Sequence, residues 1–216
     1  MLTLYTYFRS SAAFRVRIAL NLKGLEYDPV VIWLPAGEQS GEPYRQVNPQ
    51  ALVPTLVDDG VRLSQSLAII EYLDETRNGP RLLPADPVGR ARVRSLSLLV
   101  ACDIHPIDNL RVLNYLRKEL HQPEEAVERW YRHWVEVGLA AYEGELAAGG
   151  GGRFSHGDRI SMADACLVPQ IFNAKRFKVD LEPYPRTMAV FEACMALDEV
   201  ARAQPSAQPE AARAAG

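Results

Sequence analysis

The fold of this chain is indicated most clearly by residues 2–24, LTLYTYFRSSAAFRVRIALNLKG. Apolar and polar residues alternate over residues 2–5 with the period of two that is typical of a β-strand. A helix follows, because Ser10 and Ser11 can cap its first turn and apolar residues then recur at helical spacing. Lys23 and Gly24 provide the cation and the glycine that commonly end a helix. The stretch therefore predicts a strand, a short turn and a helix.

The rest of the first 84 residues continues this alternation of strands and helices. Residues 25–33 predict a second strand, and Pro29 indicates that it lies at a sheet edge, since proline cannot donate to a central ladder. Residues 55–57 and 61–63 flank Asp-Asp-Gly, which is typical of a compact hairpin. Ser66 begins a further helix. The predicted order is β-α-β-(α)-β-β-α.

Prolines 84 and 87 mark a linker, and every later pattern is helical. We predict an α/β domain over residues 1–84 and an all-helical domain over residues 85–216. Residues 203–216 hold hardly any large apolar side chain, so they are expected to form a frayed tail.

Two features of the helical region carry structural predictions. Pro106 lies inside an apolar pattern over residues 93–107 and predicts a kink or break in that helix. Trp130, Trp134 and Val137 line up along a later helix and predict a packing stripe.

Charge and hydropathy exclude several classes of protein. The 216 residues carry 24 Lys and Arg against 27 Asp and Glu, a formal net charge of −3, which argues against nucleic-acid and membrane partners. No apolar run approaches the roughly 20 residues that span a bilayer, and the first residues lack the pattern of a secretory signal. We therefore expect a cytoplasmic protein.

The cysteines argue against a disulfide framework. Cys102, Cys166 and Cys194 lie far apart without a CxxC motif, and the latter two are predicted to be small core residues. No bound metal is expected, because Cys102 and His105 lack further ligands. Phosphate-binding glycine motifs are missing from the sequence, so nucleotide phosphate is not an expected ligand.

Three short segments have features of an anion or peptide site. Ser10 and Ser11 lie at a helix N-terminus, where free N–H groups and the helix dipole favour an anion. Pro54 precedes a strand, and a cis bond there would present the Val53 backbone to a peptide-like ligand. The pair at residues 65–66 begins another helix. Each feature alone is more often a helix cap or a turn proline than a binding site.

Together, in this order and spacing, the segments resemble the glutathione transferase superfamily, and within it the zeta class of maleylacetoacetate isomerase-like proteins. The resemblance is strongest in Arg9-Ser10-Ser11 and the following Arg15-Val16-Arg17. It extends over nearly the whole chain, through residues 105–113, 164–170 and 173–177. It implies a thioredoxin-like N-terminal domain that binds glutathione, with a cis-proline before its third strand, and a C-terminal helical glutathione-transferase domain that binds the substrate.

The resemblance also implies a cofactor and a reaction. Glutathione is the implied cofactor, and a maleyl double bond is isomerised from cis to trans by thiolate addition, bond rotation and elimination. The implied catalytic residue is Ser10, assisted by Ser11, through hydrogen bonds to the glutathione sulfur. The residues expected to contact glutathione are Gln39, Val53, Pro54, Gln65, Ser66, His105 and Asn109. His105 and Asn109 are four residues apart and are expected to share a helix face.

Three arginines are candidates for binding substrate carboxylates, since guanidinium groups match carboxylates bidentately. Arg9 follows the first strand, Arg111 lies in the helical region, and Arg176 is expected in an apolar setting that is costly without an anionic partner. A solvated surface position is an equal alternative for Arg111. Arg15 and Arg17 are predicted to be structural.

One position departs from the family pattern. The family's usual cysteine falls at Ala12, so the chemistry must depend on the glutathione sulfur and the serines. Related maleylpyruvate isomerases also lack this cysteine, which makes maleylpyruvate the alternative substrate. Those relatives tend to carry a second arginine beside the one matching Arg111, where this chain has Leu110.

The expected substrate is a small dicarboxylate from tyrosine degradation, and the family implies a homodimer. Two further alternatives stay open: a conjugating or dehalogenating glutathione transferase, and a glutathione-binding protein without catalysis.

Overall fold

The computed structural model describes residues 1–214, which form two compact units. The first unit contains Met1–Leu83 together with the chain from Met195 onward. The second unit contains Pro84–Cys194. The linker prolines of the sequence thus lie at the start of the second unit.

The first unit is built, within the described residues, on a four-stranded mixed sheet in the order β2-β1-β3-β4. Its strands are β1 (Leu2–Thr6), β2 (Asp28–Val31), β3 (Thr55–Asp58) and β4 (Val61–Ser64). β1 pairs in parallel with β2 and antiparallel with β3, which pairs antiparallel with β4. Pro29 lies in the edge strand β2, as predicted.

Helices α1 (Ser11–Leu22) and α2 (Glu42–Val47) connect the strands, and α3 (Ser66–Thr76) follows the last of them. The predicted order of strands and helices is confirmed. Ser10 is the N-cap of α1, and its Oγ accepts a hydrogen bond from the Ala13 N–H at 3.2 Å. At the other end Gly24 has a φ of +63°, a left-handed conformation that glycine adopts without a steric penalty. Both ends of α1 therefore match the sequence signals.

The second unit is helical, with no strand among residues 84–194. Its helices are α4 (Pro87–Leu98), α5 (Leu110–Lys118), α6 (Glu124–Ala147), α7 (Met162–Arg176) and α8 (Pro185–Met195). A π-helical segment, Leu99–Ile104, extends α4. The helix then breaks at a turn over residues 105–108, which contains Pro106 and confirms the predicted break.

The buried face of α6 differs from the predicted stripe. Val137 is 51% exposed, and Trp130 and Trp134 are half-buried. The buried residues, spaced three or four apart, are instead Val127, Tyr131, Val135, Leu139, Tyr142 and Leu146. The packing prediction holds for Trp130 and Trp134, whose ring centres lie 5.7 Å apart, and is wrong for Val137, because the longer apolar row occupies the face one residue further round the helix.

The C-terminal part of the chain also differs from its prediction. Helix α9 (Asp198–Ala203) is followed by 3₁₀ turns at Pro205–Ala207 and Pro209–Ala214. These residues belong to the first unit rather than to the helical one, because α9 packs against α1. The Asn21 amide donates to the Glu199 carbonyl at 2.8 Å. The predicted frayed tail is therefore wrong for residues 203–214, and residues 215–216 lie outside the described residues.

A buried ion pair between Lys23 and Asp74 fixes residues 80–83, where the first unit meets the linker. Lys23 Nζ lies 3.0 Å from Asp74 Oδ1 and 3.0 Å from the Pro80 carbonyl oxygen, and both charged side chains are almost completely buried. Asp74 also accepts hydrogen bonds from the backbone N–H groups of Leu82 and Leu83, at 2.8 and 3.2 Å. Asp74 thus ties α1, α3 and the start of the linker together.

We predict that Asp74→Ala destabilises the protein by about 3–5 kcal/mol, because it leaves the Lys23 ammonium buried without its counter-charge. The free energy of unfolding in urea measures the loss. Glu75→Ala is the matched control: Glu75 is the exposed neighbour on the same helix, and its removal should change stability by less than about 0.5 kcal/mol. Equal losses in both variants would contradict the role given to the pair.

Candidate active site

Strand register brings three loops to one end of the sheet. Tyr5 of β1 pairs with Thr55 of β3, and Thr55 pairs with Ser64 of β4. β1 ends one residue beyond this row, β3 begins at it and β4 ends at it. Three segments that were predicted to bind a ligand lie in the loops at this end of the sheet: residues 10–11, 53–54 and 65–66.

Ser10 and Ser11 form the start of α1 at this end. The Ser10 Oγ accepts the Ala13 N–H as a cap, which leaves its own O–H free to donate to a ligand. Ser11 is the first helical residue and is buried. A hydroxyl donor at a helix N-terminus favours a negatively charged partner, and it lowers the pKa of a thiol placed there.

Two side chains hold the second loop, residues 48–54, by hydrogen bonds. The Leu52 carbonyl oxygen accepts hydrogen bonds from the Tyr44 hydroxyl at 2.7 Å and from the Asn48 amide at 2.8 Å. The next peptide bond, Val53–Pro54, is cis, as predicted. Val53 is buried against the apolar cluster that contains Tyr44.

The third loop contains a pair that the sequence did not predict. The Arg15 guanidinium donates from Nη1 to the Ser66 Oγ at 3.3 Å, and both side chains are buried. Gln65, directly before α3, has a φ of +69°, which is uncommon for a residue other than glycine, and it donates from Nε2 to Gln50 Oε1 at 3.0 Å. The start of α3 therefore combines a helix dipole, a hydroxyl and a buried cation, a combination that favours a carboxylate.

Arg15 and Arg17 were both predicted to be structural, and both are buried and donate hydrogen bonds within the first unit. Arg17 donates to the carbonyl oxygens of Phe8 and Ala203, at 3.0 Å each, so it joins α1 to its own N-terminal turn and to α9. Arg15 contacts a predicted ligand-binding serine instead. The contact between Arg15 and Ser66 was indicated in the sequence only by the position of this arginine, one helical turn after Ser10 and Ser11.

Gln39 lies in a 3₁₀ turn, Glu38–Ser40, that follows β2. β2 runs parallel to β1 and ends opposite Thr6, so this turn leaves the same end of the sheet. The Gln39 Oε1 atom is buried and has no hydrogen-bond partner among residues 1–214. An unpaired buried acceptor of this kind fits a donor from a ligand.

In the second unit, His105 and Asn109 do not share a helix face. His105 lies in the turn over residues 105–108, whereas Asn109 is the N-cap of α5 and accepts the Arg111 N–H at 3.1 Å. The prediction was wrong because the helix ends before Pro106, so the four-residue spacing no longer spans one helical turn.

The three candidate arginines are exposed. Arg9 lies over the Phe8 ring and Arg176 over the Phe177 ring, with the guanidinium carbon 5.0 and 4.9 Å from the ring centres. The apolar setting predicted for Arg176 is therefore wrong, although one face of its guanidinium is covered by an aromatic ring. Within the part of the chain that the structure describes, Arg9, Arg111 and Arg176 form no ion pair, which leaves their charges available to an anion.

A buried carboxyl between His105 and Asn109 was missed by the sequence reasoning. Asp108 is 6% exposed, and neither carboxyl oxygen has a hydrogen-bond partner among the described residues. Burial raises the pKa of Asp108 to about 8. Tyr131 of α6 is also buried; burial raises its pKa, the Asp108 charge raises it further, and the Arg176 charge lowers it. The Tyr131 ring stacks on that of Phe177, the residue directly after α7, with the ring centres 3.6 Å apart.

Residues 1–214 contain no group of three or more His, Cys, Asp or Glu side chains placed to hold a metal ion. Over the same range, no helix combines the length and the apolar character that crossing a bilayer requires.

Comparison with known proteins agrees with this geometry. The model of the glutathione S-transferase N-terminal domain matches residues 4–81, and that of the glutathione S-transferase C-terminal domain matches residues 110–198. The chain belongs to the glutathione S-transferase family. The first match contains all the candidate residues of the sheet end, and the second contains Arg111 and Arg176 but not the turn that carries Asp108.

Individual relatives show to which class of glutathione S-transferases the chain belongs. Maleylacetoacetate isomerase of Rhizobium meliloti is 50% identical over 202 residues, which cover 94% of this chain and 95% of that protein. A holo structure of maleylpyruvate isomerase, described as a bacterial zeta-class glutathione S-transferase, has a TM-score of 0.94 and 48% identity over 96% of this chain and 99% of that one. Maleylacetoacetate isomerase from Methylobacterium extorquens AM1, with malonate and glutathione bound, has a TM-score of 0.94 and 45% identity, covering 96% and 98%. The chain is a zeta-class transferase.

The Asp108 carboxyl predicts a pH dependence of this transferase's stability. The pKa of about 8 in the folded protein lies above the ordinary 3.8, so the contribution of Asp108 to stability is complete below pH 3.8 and is lost as pH rises through about 8. Asp108→Asn removes the ionisable group, and the variant should therefore gain stability relative to wild type by about 1–3 kcal/mol more in alkaline than in mildly acidic buffer.

Urea unfolding above and below the pKa of Asp108 measures this difference. Asp103→Asn, an exposed carboxylate on the adjoining π-helical segment, is the control and should show no such pH dependence. A gain for Asp108→Asn that is the same at both pH values would contradict the prediction.

Proposed function

We propose that this transferase is a glutathione-dependent cis–trans isomerase that converts maleylacetoacetate to fumarylacetoacetate. The observation that carries the proposal is the meeting, at one end of the sheet, of the Ser10 hydroxyl at one helix N-terminus and the Ser66–Arg15 pair at another. A hydroxyl suited to a thiolate thus lies at the same sheet end as a site suited to a carboxylate. Relatives that carry the names of such isomerases support the assignment.

The residues of the first unit fit glutathione by the chemistry of their donors and acceptors. Ser66 and the N–H groups at the start of α3 would bind the γ-glutamyl carboxylate, with the Gln65 side chain beside them. The Val53 backbone, held by the loop at Pro54, would pair with the cysteinyl peptide group. The unpaired Gln39 Oε1 would accept a hydrogen bond from the ligand. His105 and Asn109 are proposed as further contacts from the second unit.

Glutathione, when bound, would supply the thiolate for addition to the maleyl double bond, rotation about the resulting single bond and elimination. Ser10, assisted by Ser11, would hold the sulfur in its ionised form by hydrogen bonding at the N-terminus of α1. Arg9, Arg111 and Arg176 would bind the substrate carboxylates and stabilise the charge that develops in the substrate.

The first unit offers no thiol for this chemistry. Residues 1–101 contain no cysteine, and Ala12 occupies the position of the family's usual one. Cys166 and Cys194 are fully buried, as predicted, and burial raises the pKa of Cys194. Cys102 is exposed but lies on the π-helical segment of the second unit.

Maleylpyruvate is the second candidate substrate. Ala12 favours it, because the related maleylpyruvate isomerases also lack the cysteine, and a zeta-class structure with that name has a TM-score of 0.94 to this chain. Leu110 favours maleylacetoacetate, since the second arginine of the maleylpyruvate enzymes is missing here.

The experiment is a comparison of kcat/KM for the two substrates, with purified protein and saturating glutathione, followed by the loss of substrate absorbance. A higher value for maleylacetoacetate supports the first candidate, and the reverse supports the second. A rate no faster than the glutathione background for both substrates would overturn the isomerase proposal. Light scattering on the same sample tests the homodimer that we propose as its cytoplasmic form.

Ser10→Ala should lower kcat about 10²–10³-fold, because it removes a hydrogen-bond donor to the thiolate. Since alanine also weakens the cap of α1, two further variants separate the effects. Ser10→Gly removes the hydroxyl with little loss of capping and should be as inactive. Ser10→Thr keeps a hydroxyl and should retain much more activity. If Ser10→Gly is as active as wild type, the serine is only a helix cap.

Arg111→Gln and Arg176→Gln should each raise KM for the maleyl substrate about ten- to a hundredfold, which is the loss expected for one charge-assisted hydrogen bond. Steady-state kinetics at saturating glutathione measure the change. Arg117→Gln is the control on the same helix as Arg111: its guanidinium binds Glu124 at 2.6 and 2.7 Å, so its loss should leave KM unchanged. An unchanged KM in all three variants would exclude these arginines from substrate binding.

A further inference from the structure

Arg17 has contacts in the first unit that the proposed function does not account for. It is 1% exposed, and its guanidinium donates hydrogen bonds on two sides. On one side lies the turn between β1 and α1, where Nη2 donates to the Phe8 carbonyl oxygen at 3.0 Å and Nη1 to the Tyr7 carbonyl oxygen at 3.4 Å. On the other side Nε donates to the Ala203 carbonyl oxygen, at the end of α9, at 3.0 Å. Because a buried charge is costly without hydrogen bonds, these carbonyls and the guanidinium hold one another in place.

The turn that Arg17 holds carries the proposed catalytic serine. The Tyr7 carbonyl oxygen, which accepts from Arg17, also accepts a hydrogen bond from the Ser10 N–H at 2.9 Å. Arg9, a candidate for binding a substrate carboxylate, lies between the Phe8 carbonyl and Ser10 in the chain. One guanidinium therefore fixes the main chain directly before both of these side chains.

Helix geometry and charge suit Arg17 to this position. It follows Ser10 by about two helical turns, and helical side chains point back toward the helix N-terminus, where the turn lies. Burial lowers the pKa of Arg17 to about 10, so the guanidinium keeps its charge and all its N–H donors near pH 7. A lysine would keep the charge but not the planar fork that reaches carbonyls on both sides.

We propose that Arg17 is a positioning residue for the isomerase reaction: it holds the turn over residues 7–10 so that the Ser10 hydroxyl can donate to the glutathione sulfur. Arg17 acts through Ser10 and takes part in no covalent step. The inference rests on the proposed function for the role of Ser10. The Ala203 carbonyl includes the C-terminal segment in this arrangement, because it fixes the guanidinium from the side opposite the turn.

The physical argument is that a hydrogen bond to a thiolate depends steeply on distance and angle. If the turn shifts, the Ser10 O–H stabilises the thiolate less, which raises the pKa of the bound thiol and slows its addition to the double bond. Binding of the γ-glutamyl group should be largely kept, because it depends on the Ser66–Arg15 pair at the start of α3. The expected signature of a disturbed Arg17 is therefore a lower kcat and a higher thiol pKa, with little change in glutathione affinity.

The test is a double-mutant cycle of Ser10→Gly and Arg17→Lys in the full-length protein. The pKa of the thiol of bound glutathione is read from the ultraviolet absorbance of the thiolate. Arg17→Lys alone should raise this thiol pKa and lower kcat about ten- to a hundredfold. In the Ser10→Gly background the same substitution should leave the thiol pKa nearly unchanged and lower kcat by less than about twofold, because the group through which it acts is gone. Equal effects of Arg17→Lys in both backgrounds overturn the proposal, since a general loss of stability acts in both.

Arg15→Lys is the matched control, because Arg15 is equally buried on the same helix but donates to Ser66. It should weaken glutathione binding and leave the pKa of the bound thiol unchanged; a rise as large as that in Arg17→Lys contradicts the proposal. If Arg17→Lys does not fold, Thr6→Val provides a second variant, since it removes the hydroxyl that accepts from Arg17 Nη1 at 3.2 Å. Thr6→Val should raise the thiol pKa and lower kcat about two- to tenfold, and an unchanged thiol pKa refutes the role of Arg17.

The thiol pKa and the isomerase assay separate this inference from the proposed function. A thiol pKa that depends on Arg17 only when Ser10 is present, without turnover of either maleyl substrate, refutes only the proposed function. Turnover of a maleyl substrate with equal effects of Arg17→Lys in both backgrounds refutes only the positioning role.

Discussion

The pairing of Tyr5 with Thr55, and of Thr55 with Ser64, is the constraint on which the candidate active site depends. The same register pairs Leu4 with Leu56, and both leucines are fully buried. A slip of one residue would turn these side chains to the other face of the sheet, so burial of the core holds the register. The hydrophobic core therefore also fixes which loops meet at the end of the sheet and which hydroxyls they carry.

The parts that were predictable from sequence are those set by local chemistry. The cap at Ser10, the glycine after α1 and the hairpin turn before β4 each depend on residues a few positions apart, and the structure has all of them. The family resemblance added the cis bond before Pro54, which no local rule requires.

The parts that sequence could not supply depend on residues far apart in the chain. Arg15 and Arg17 are two positions apart on one helix and equally buried, yet one contacts Ser66 and the other the Ala203 carbonyl. No periodicity distinguishes them, because the partners lie 51 and 186 residues away. Asp108 was overlooked for a related reason: a carboxylate in a turn is normally solvated, and only the three-dimensional structure shows that this one is buried.

The packing of α9 on α1 has a consequence for the order in which the protein is made. Because the first unit takes α9 from a segment that follows the helical unit in the chain, its fold is complete only after the whole helical unit has been synthesised. The helical unit is continuous in the chain and emerges whole before that point. During synthesis at about 5–20 residues per second, the sheet must wait for some seconds with the α9-binding face of α1 uncovered. Of the two units, the one whose strands are synthesised earlier is thus the one whose fold is completed later.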